Sequence, residues 1–156
     1  GHGIAISPIH LATAYAILVN GGFKVNPTIL KKDNFNINSD QIISKKTSEN
    51  IRLILEKVVS EGTARETNFG GYLVGGKTGT AEKPNPIQGG YYENKVISTF
   101  ASAFPISTGD FVLVVTLDEP ENNFGSESYR YASKTAVPVA AKIISRIAPL
   151  LNLKKE

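Results

Sequence analysis

The sequence predicts an α+β fold, an antiparallel sheet with helices on both faces, and three observations carry that reading. The apolar run Ile9 to Val19 has helix length and is bounded by strong caps. Val96 to Phe104 and Phe111 to Leu117 are β-rich runs joined near Ser107-Thr108-Gly109-Asp110, which reads as a strand pair. Val137 to Leu151 is amphipathic at helical spacing. The elements come as helix, helix, three antiparallel strands, helix, so they are grouped and do not alternate as in a parallel α/β chain.

Each element has a local cause. Ser7-Pro8 supplies a hydroxyl N-cap followed by proline at the first helical position. The helix that follows is apolar on most faces, which predicts a largely buried helix, and Asn20-Gly21-Gly22 ends it. Val25 to Leu30 contains Pro27, so a strand there is short or at an edge. Residues 31–46 are polar and rich in Asn and Asp, a surface excursion. Thr47 is positioned to cap a second helix whose apolar stripe is Ile51, Leu53, Ile54, Leu55, Val58 and Val59, with Gly62 as its stop. Leu73 to Ala81 reads as a strand, 84–92 as a loop with two prolines and two glycines, and 118–128 as a polar loop. Val112-Leu113-Val114-Val115 is continuously apolar, as in a strand covered on both faces. A three-stranded sheet leaves an edge open unless more strands join it, which implies further chain.

Composition narrows the classes. The 156 residues suffice for one apolar core, and 41% hydrophobic with 20% charged residues is ordinary for a globular domain. The net charge of +3 is spread thinly, with no continuous basic patch interleaved with aromatic platforms, so nucleic acid is not an expected partner. Cysteine is absent, which removes disulfides and thiolate metal sites and fits an extracytoplasmic setting. His2 and His10 form no metal-binding pair, and no metal or cofactor is expected. No run approaches the ~20 apolar residues of a membrane span. The chain opens on glycine and contains no methionine, as expected of a fragment or processed product.

Gly75-Gly76-Lys77-Thr78-Gly79-Thr80-Ala81 is the most informative segment. Gly71 to Thr78 also matches the phosphate-loop pattern G-x-x-x-x-G-K-[ST]. That pattern requires a strand before the glycines and a helix after them. Residues 63–70 are polar and turn-like, and Pro84 follows Thr78 by six positions, so both flanks argue against it. The other reading is a K-T-G strand of serine penicillin-recognising enzymes. An edge strand pairs with an extended peptide, lysine brings a cation, threonine hydroxyls donate to a carboxylate, and glycine allows close approach. On those four residues alone, an ordinary strand remains an equal alternative.

The surroundings separate them. Gly62-Thr63-Ala64, the Lys77-Thr78-Gly79-Thr80 segment through Lys83, Tyr91-Tyr92, Ser98 to Pro105 and Val112 to Pro120 together resemble class B penicillin-binding proteins. Upstream, Gly3 to Ala12, Tyr15-Ala16 and Asn20-Gly21-Gly22 do so too, as does Ala136-Val137-Pro138-Val139-Ala140. The resemblance runs in family order along nearly the whole chain. Thr78 in place of serine and the ending Ile147-Ala148-Pro149-Leu150-Leu151 look most like the septal, cell-division transpeptidase of alphaproteobacteria.

The resemblance implies the C-terminal part of one transpeptidase domain, with three of the family's five strands here and two upstream. Family members cross-link peptidoglycan through an acyl-serine formed on a D-Ala-D-Ala stem peptide, and β-lactams acylate the same serine. Carried over by position, Lys77 and Thr80 are the catalytic residues, Lys77 organising the proton relay and the Thr80 N–H an oxyanion donor. Thr78, Gly79 and Thr80 bind the substrate carboxylate and backbone, and Tyr91 and Tyr92 border the cleft. The implied partners are the stem peptide, β-lactams, the upstream half of the domain and cell-division membrane proteins. The implied location is the periplasmic face of the bacterial inner membrane.

No S-x-x-K occurs in the sequence, so the family's nucleophile and base are absent from it and the isolated chain is expected to be inactive. The S-x-N at Ser48-Glu49-Asn50 follows the apolar helix, whereas the family places its own before that helix, so Ser48 reads as part of a helix N-terminus. The competing functions are a non-catalytic peptide-binding or assembly module, which would bind reversibly without a covalent adduct, and a nucleotide-binding module. A titration with Mg-ATP is expected to show no binding, and saturable binding would restore the phosphate-loop reading.

Overall fold

The computed structural model describes residues 4–31, 40–65, 67–121 and 130–155. Its elements are α1 (Pro8–Val19), α2 (Lys45–Ser60), β1 (Gly75–Pro84), β2 (Tyr91–Phe104), β3 (Phe111–Asp118) and α3 (Ala136–Ile147). The strands form one antiparallel sheet in the order β1-β2-β3. The α+β reading and the element order hold.

Strand alternation sorts the core into two layers. Phe100 and Phe104 of β2 and Val115 of β3 pack with Val137, Ala140 and Ile144 of α3. Ala103, one residue out of phase, packs with Val19 of α1 and with Ile106 on the opposite face. Helices therefore cover both faces, as the continuous apolar run of β3 requires.

The junction of α1, α2 and the β2–β3 turn is tied by polar bonds. Ser7 Oγ accepts the His10 N–H at the start of α1, and Gly21 and Gly22 turn the chain at its end with φ 93° and 91°. The Ser48 hydroxyl, fully buried, donates to the Leu18 carbonyl and accepts the Gly21 N–H. Arg52 donates to the Val19 carbonyl at 3.2 Å and to the Thr108 carbonyl at 2.9 Å. Ser48 thus lies in the first turns of α2, as expected, and its hydroxyl serves the free carbonyl end of α1.

Several boundaries differ from the sequence reading. The cap of α2 is Ser44, not Thr47: its Oγ accepts the Thr47 N–H, so Thr47 sits at the third helical position. Residues 25–30 form no strand, and among the described residues pairing nearby is limited to one bridge between Phe23 and Gln41, since proline lacks the ladder donor. β1 runs from 75 to 84, not 73 to 81, and β2 begins at Tyr91, not Val96, because the hairpin extends past a register shift between Glu82 and Pro84. α3 stops at Ile147 short of Leu151, where Pro149 cannot continue a helix. The polar-loop assignments fall partly on residues 32–39 and 122–129, which lie outside the described residues.

α1 is not largely buried. Val19 is its buried residue, while Ile9 is 55% exposed and Ile4 and Ile6, just before it, are open to solvent. The sheet and α2 cover one side of an all-round apolar helix, and nothing in the described chain covers the other.

Two glycines seat β1. A Cβ on Gly76 would stand 2.6 Å from the Ala101 carbonyl oxygen and 2.8 Å from the Phe100 ring, and one on Gly75 would stand 2.5 Å from Ile106. Around Gly79 no described residue lies within 4 Å of such a Cβ. Gly76→Ala is expected to cost about 1–3 kcal/mol by forced overpacking, whereas Gly79→Ala stays within about 0.5 kcal/mol. Urea unfolding of the two variants checks this, and equal losses would contradict the seating.

Candidate functional site

β1 is an edge strand, so the backbone groups on its outer side are not used by the sheet. Alternation divides its side chains. Gly76, Thr78 and Thr80 stand opposite Ser102, Phe100 and Ser98, on the α3 face. Lys77 and Gly79 stand opposite Ala101 and Thr99, on the α1 face. The predicted residues are thus neighbours in space by sharing one edge, not one face.

Each side chain is held. The Lys77 ammonium is exposed and donates to the Thr78 carbonyl at 2.8 Å. The Thr78 hydroxyl lies 3.0 Å from that of Thr63, on the segment that follows α2. Thr80 Oγ1 accepts the Ala132 N–H at 3.1 Å, from the stretch leading into α3. A hydroxyl has two acceptor sites and one proton, so Thr80 keeps its proton for another acceptor. Gly79, with open space above it, is where a ligand's backbone can come closest.

Tyr91 and Tyr92 lie at the far end of the hairpin. Tyr91 pairs with Pro84, seven positions from Lys77 and therefore about 23 Å along the strand. The structure does not bring the two tyrosines to the lysine. Tyr92 instead carries the Lys95 ammonium 5.1 Å from its ring centroid.

That end of the hairpin is organised by charge. Lys83 donates to Asp118 at 2.9 Å and to Glu119 at 2.7 Å, and Lys95 reaches Glu119 at 3.4 Å. The bond to Glu119, then that to Asp118, raises the Lys83 pKa, and the bond from Lys83 lowers that of Glu119. Glu119 holds a left-handed backbone, φ 47°, and donates its N–H to the Val96 carbonyl.

Sequence reasoning did not assign roles to Thr63, Ser98 or the Ala132 N–H. Thr63 stood in a family-like segment, but its partner is 15 positions away and no local pattern announces it. The phosphate-loop reading fails on geometry. Lys77 and Thr78 lie inside a strand, and after it the chain enters β2, not a helix whose N-terminus could face phosphates.

Comparison with known proteins bears out the family resemblance. The family model of the penicillin-binding protein transpeptidase domain matches residues 1–145. The probable peptidoglycan D,D-transpeptidase FtsI of Caulobacter vibrioides is 33% identical over 165 residues, covering 100% of this chain and 28% of that protein. Stage V sporulation protein D of Bacillus subtilis is 34% identical, covering 99% of this chain and 24% of its own length. The apo structure of the TP domain of penicillin-binding protein 3 from Burkholderia pseudomallei superposes with a TM-score of 0.84 at 29% identity, covering 100% of this chain and 46% of that one. With its edge strand and its Lys-Thr-Gly-Thr sequence in place, this chain belongs to the penicillin-binding protein transpeptidase domain family. It spans about a quarter of the length of the curated relatives it matches.

The ion-pair cluster predicts a pH dependence with a definite sign. A carboxylate of lowered pKa stabilises above its ordinary value of 4.5, and that contribution is lost as pH falls through the lower folded value. Lys83, raised from 10.5, contributes below that value, and its share is lost as pH rises through the higher folded one. Urea midpoints are therefore expected to fall below the carboxylate range, and less so in Glu119→Gln. An identical acid limb in that variant would contradict the cluster's role.

Proposed function

We propose that this chain is the C-terminal part of one D,D-transpeptidase domain and supplies the carboxylate and oxyanion side of its site. The observation that carries the reading is the edge strand β1, with Lys77, Thr78 and Thr80 anchored and open space at Gly79. An extended stem peptide adds to that edge as a further strand. The hydroxyls of Thr78 and Thr80 donate to its terminal carboxylate, and Lys77 places a positive charge beside the reacting centre. Tyr91 and Tyr92, at the far end of the same hairpin, enter the proposal only as contacts for more distant parts of the peptide.

The reaction runs in two steps. A serine oxygen supplied by the upstream half attacks the D-Ala-D-Ala carbonyl, and the Thr80 N–H stabilises the oxyanion. The C–N bond breaks, D-alanine leaves with the serine's proton, and an acyl-serine remains. An amine of a neighbouring stem then attacks, the new amide forms, and the serine recovers its proton. A β-lactam enters the first step and stays bound, since its leaving nitrogen remains tethered.

The absence of S-x-x-K, and the use of Ser48 as a buried cap, support an inactive isolated chain. The likeness to the Caulobacter D,D-transpeptidase supports the transpeptidase reading, and a cell-division role with membrane partners on the periplasmic face is part of the proposal. No helix among the described residues is long and apolar enough to cross a membrane.

Lys77→Ala in the full-length protein tests the site. Lys77 is exposed, so stability is expected to be unchanged, while acylation by benzylpenicillin falls about 10²- to 10⁴-fold. Acylation at the wild-type rate would remove Lys77 from the site.

A further inference from the structure

Ser98 is fully buried on β2 and stands directly opposite Thr80 in the β1–β2 register. Its hydroxyl donates to the Arg130 carbonyl at 2.5 Å. Two residues on, the Ala132 N–H donates to Thr80 Oγ1 at 3.1 Å. Two neighbouring hydroxyls on one face of the sheet thus grip one short stretch of backbone. Ala132 is itself buried in the α3 core layer, so the stretch is held from both sides.

The two bonds work in opposite senses. Ser98 spends its proton on Arg130, which fixes where residues 130–132 lie. Thr80 receives a proton from that stretch, which occupies one of its lone pairs and turns its own proton elsewhere. No acceptor for that proton is found among the described residues. The aim of the Thr80 hydroxyl therefore depends on a residue that never reaches the edge of the sheet.

We propose that Ser98 is a positioning residue for carboxylate recognition, acting through Arg130 and Ala132 to direct the Thr80 hydroxyl toward the ligand. The proposal rests on the reading of Thr80 as a carboxylate donor given above. Ser98 takes no part in the chemistry.

The test is saturation kinetics of acylation of the full-length protein by benzylpenicillin and by its methyl ester, whose carboxylate is masked. Ser98→Ala is expected to weaken apparent binding of the acid about tenfold, the weight of one hydrogen bond to a charged group. The maximal acylation rate and the reaction with the ester stay unchanged. Thr80→Val weakens binding of the acid at least as much, and Ser98→Ala adds nothing to that loss in the double variant. Ser98→Cys keeps a weak donor in nearly the same volume, gives a smaller loss of the same kind, and provides the reading where the alanine variant does not fold. Ser48→Ala, which removes a buried hydroxyl elsewhere, lowers stability without an acid-specific loss. Equal losses on acid and ester, additive losses with Thr80→Val, or the same pattern from Ser48→Ala would overturn the proposal. A wild-type protein that is not acylated at all would overturn the underlying reading and this inference with it.

Discussion

How closely β1 lies against β2 governs what the rest of the chain can present. Gly75 and Gly76 leave no room for a side chain, because Ile106, the Phe100 ring and the Ala101 carbonyl already fill the space. That contact draws the start of β1 into the core layers, where interiors are packed too densely to yield to an added carbon. Three residues later the same strand has open space at Gly79. One strand therefore passes from core element to open edge within a few residues, and the glycines mark both ends of the change.

The polar anchors follow from that placement. With β1 fixed, Thr78 comes within reach of Thr63, and Thr80 within reach of the backbone entering α3. The helices are tied by a different set, in which Ser48 and Arg52 satisfy the end of α1 and the β2–β3 turn. The two sets divide the labour. One holds the chain's two layers together, and the other orients the hydroxyls at the edge. Among the described residues, the outer side of α1 and the outer edge of β3 are also left open.

Much of this was legible in the sequence, and the exceptions have physical reasons. Ser7-Pro8 and Asn20-Gly21-Gly22 fixed α1 because capping is local chemistry, complete within a few residues. Where two hydroxyls compete, as Ser44 and Thr47 do, the local signal is ambiguous, and the fold chose the earlier one. The start of β2 was hidden because Glu93, Asn94 and Lys95 carry no apolar alternation, and the stretch is tied by the Tyr91–Pro84 pairing and the Lys95–Glu119 ion pair. The Lys-Thr-Gly-Thr run was visible as a motif, yet its division between two faces needed the register. The contacts of Ser98 and Thr63 were invisible in the sequence, since their partners lie 32 and 15 positions away.

The central claim is that this chain carries the recognition side of a transpeptidase site and not its nucleophile. Intact mass after incubation with benzylpenicillin, on this chain alone and on its mixture with the upstream half of the domain, tests it most directly. The account predicts no adduct on the isolated chain, and in the mixture an adduct confined to the upstream half. A penicilloyl adduct on the isolated chain would place a reactive serine among these 156 residues and contradict the account.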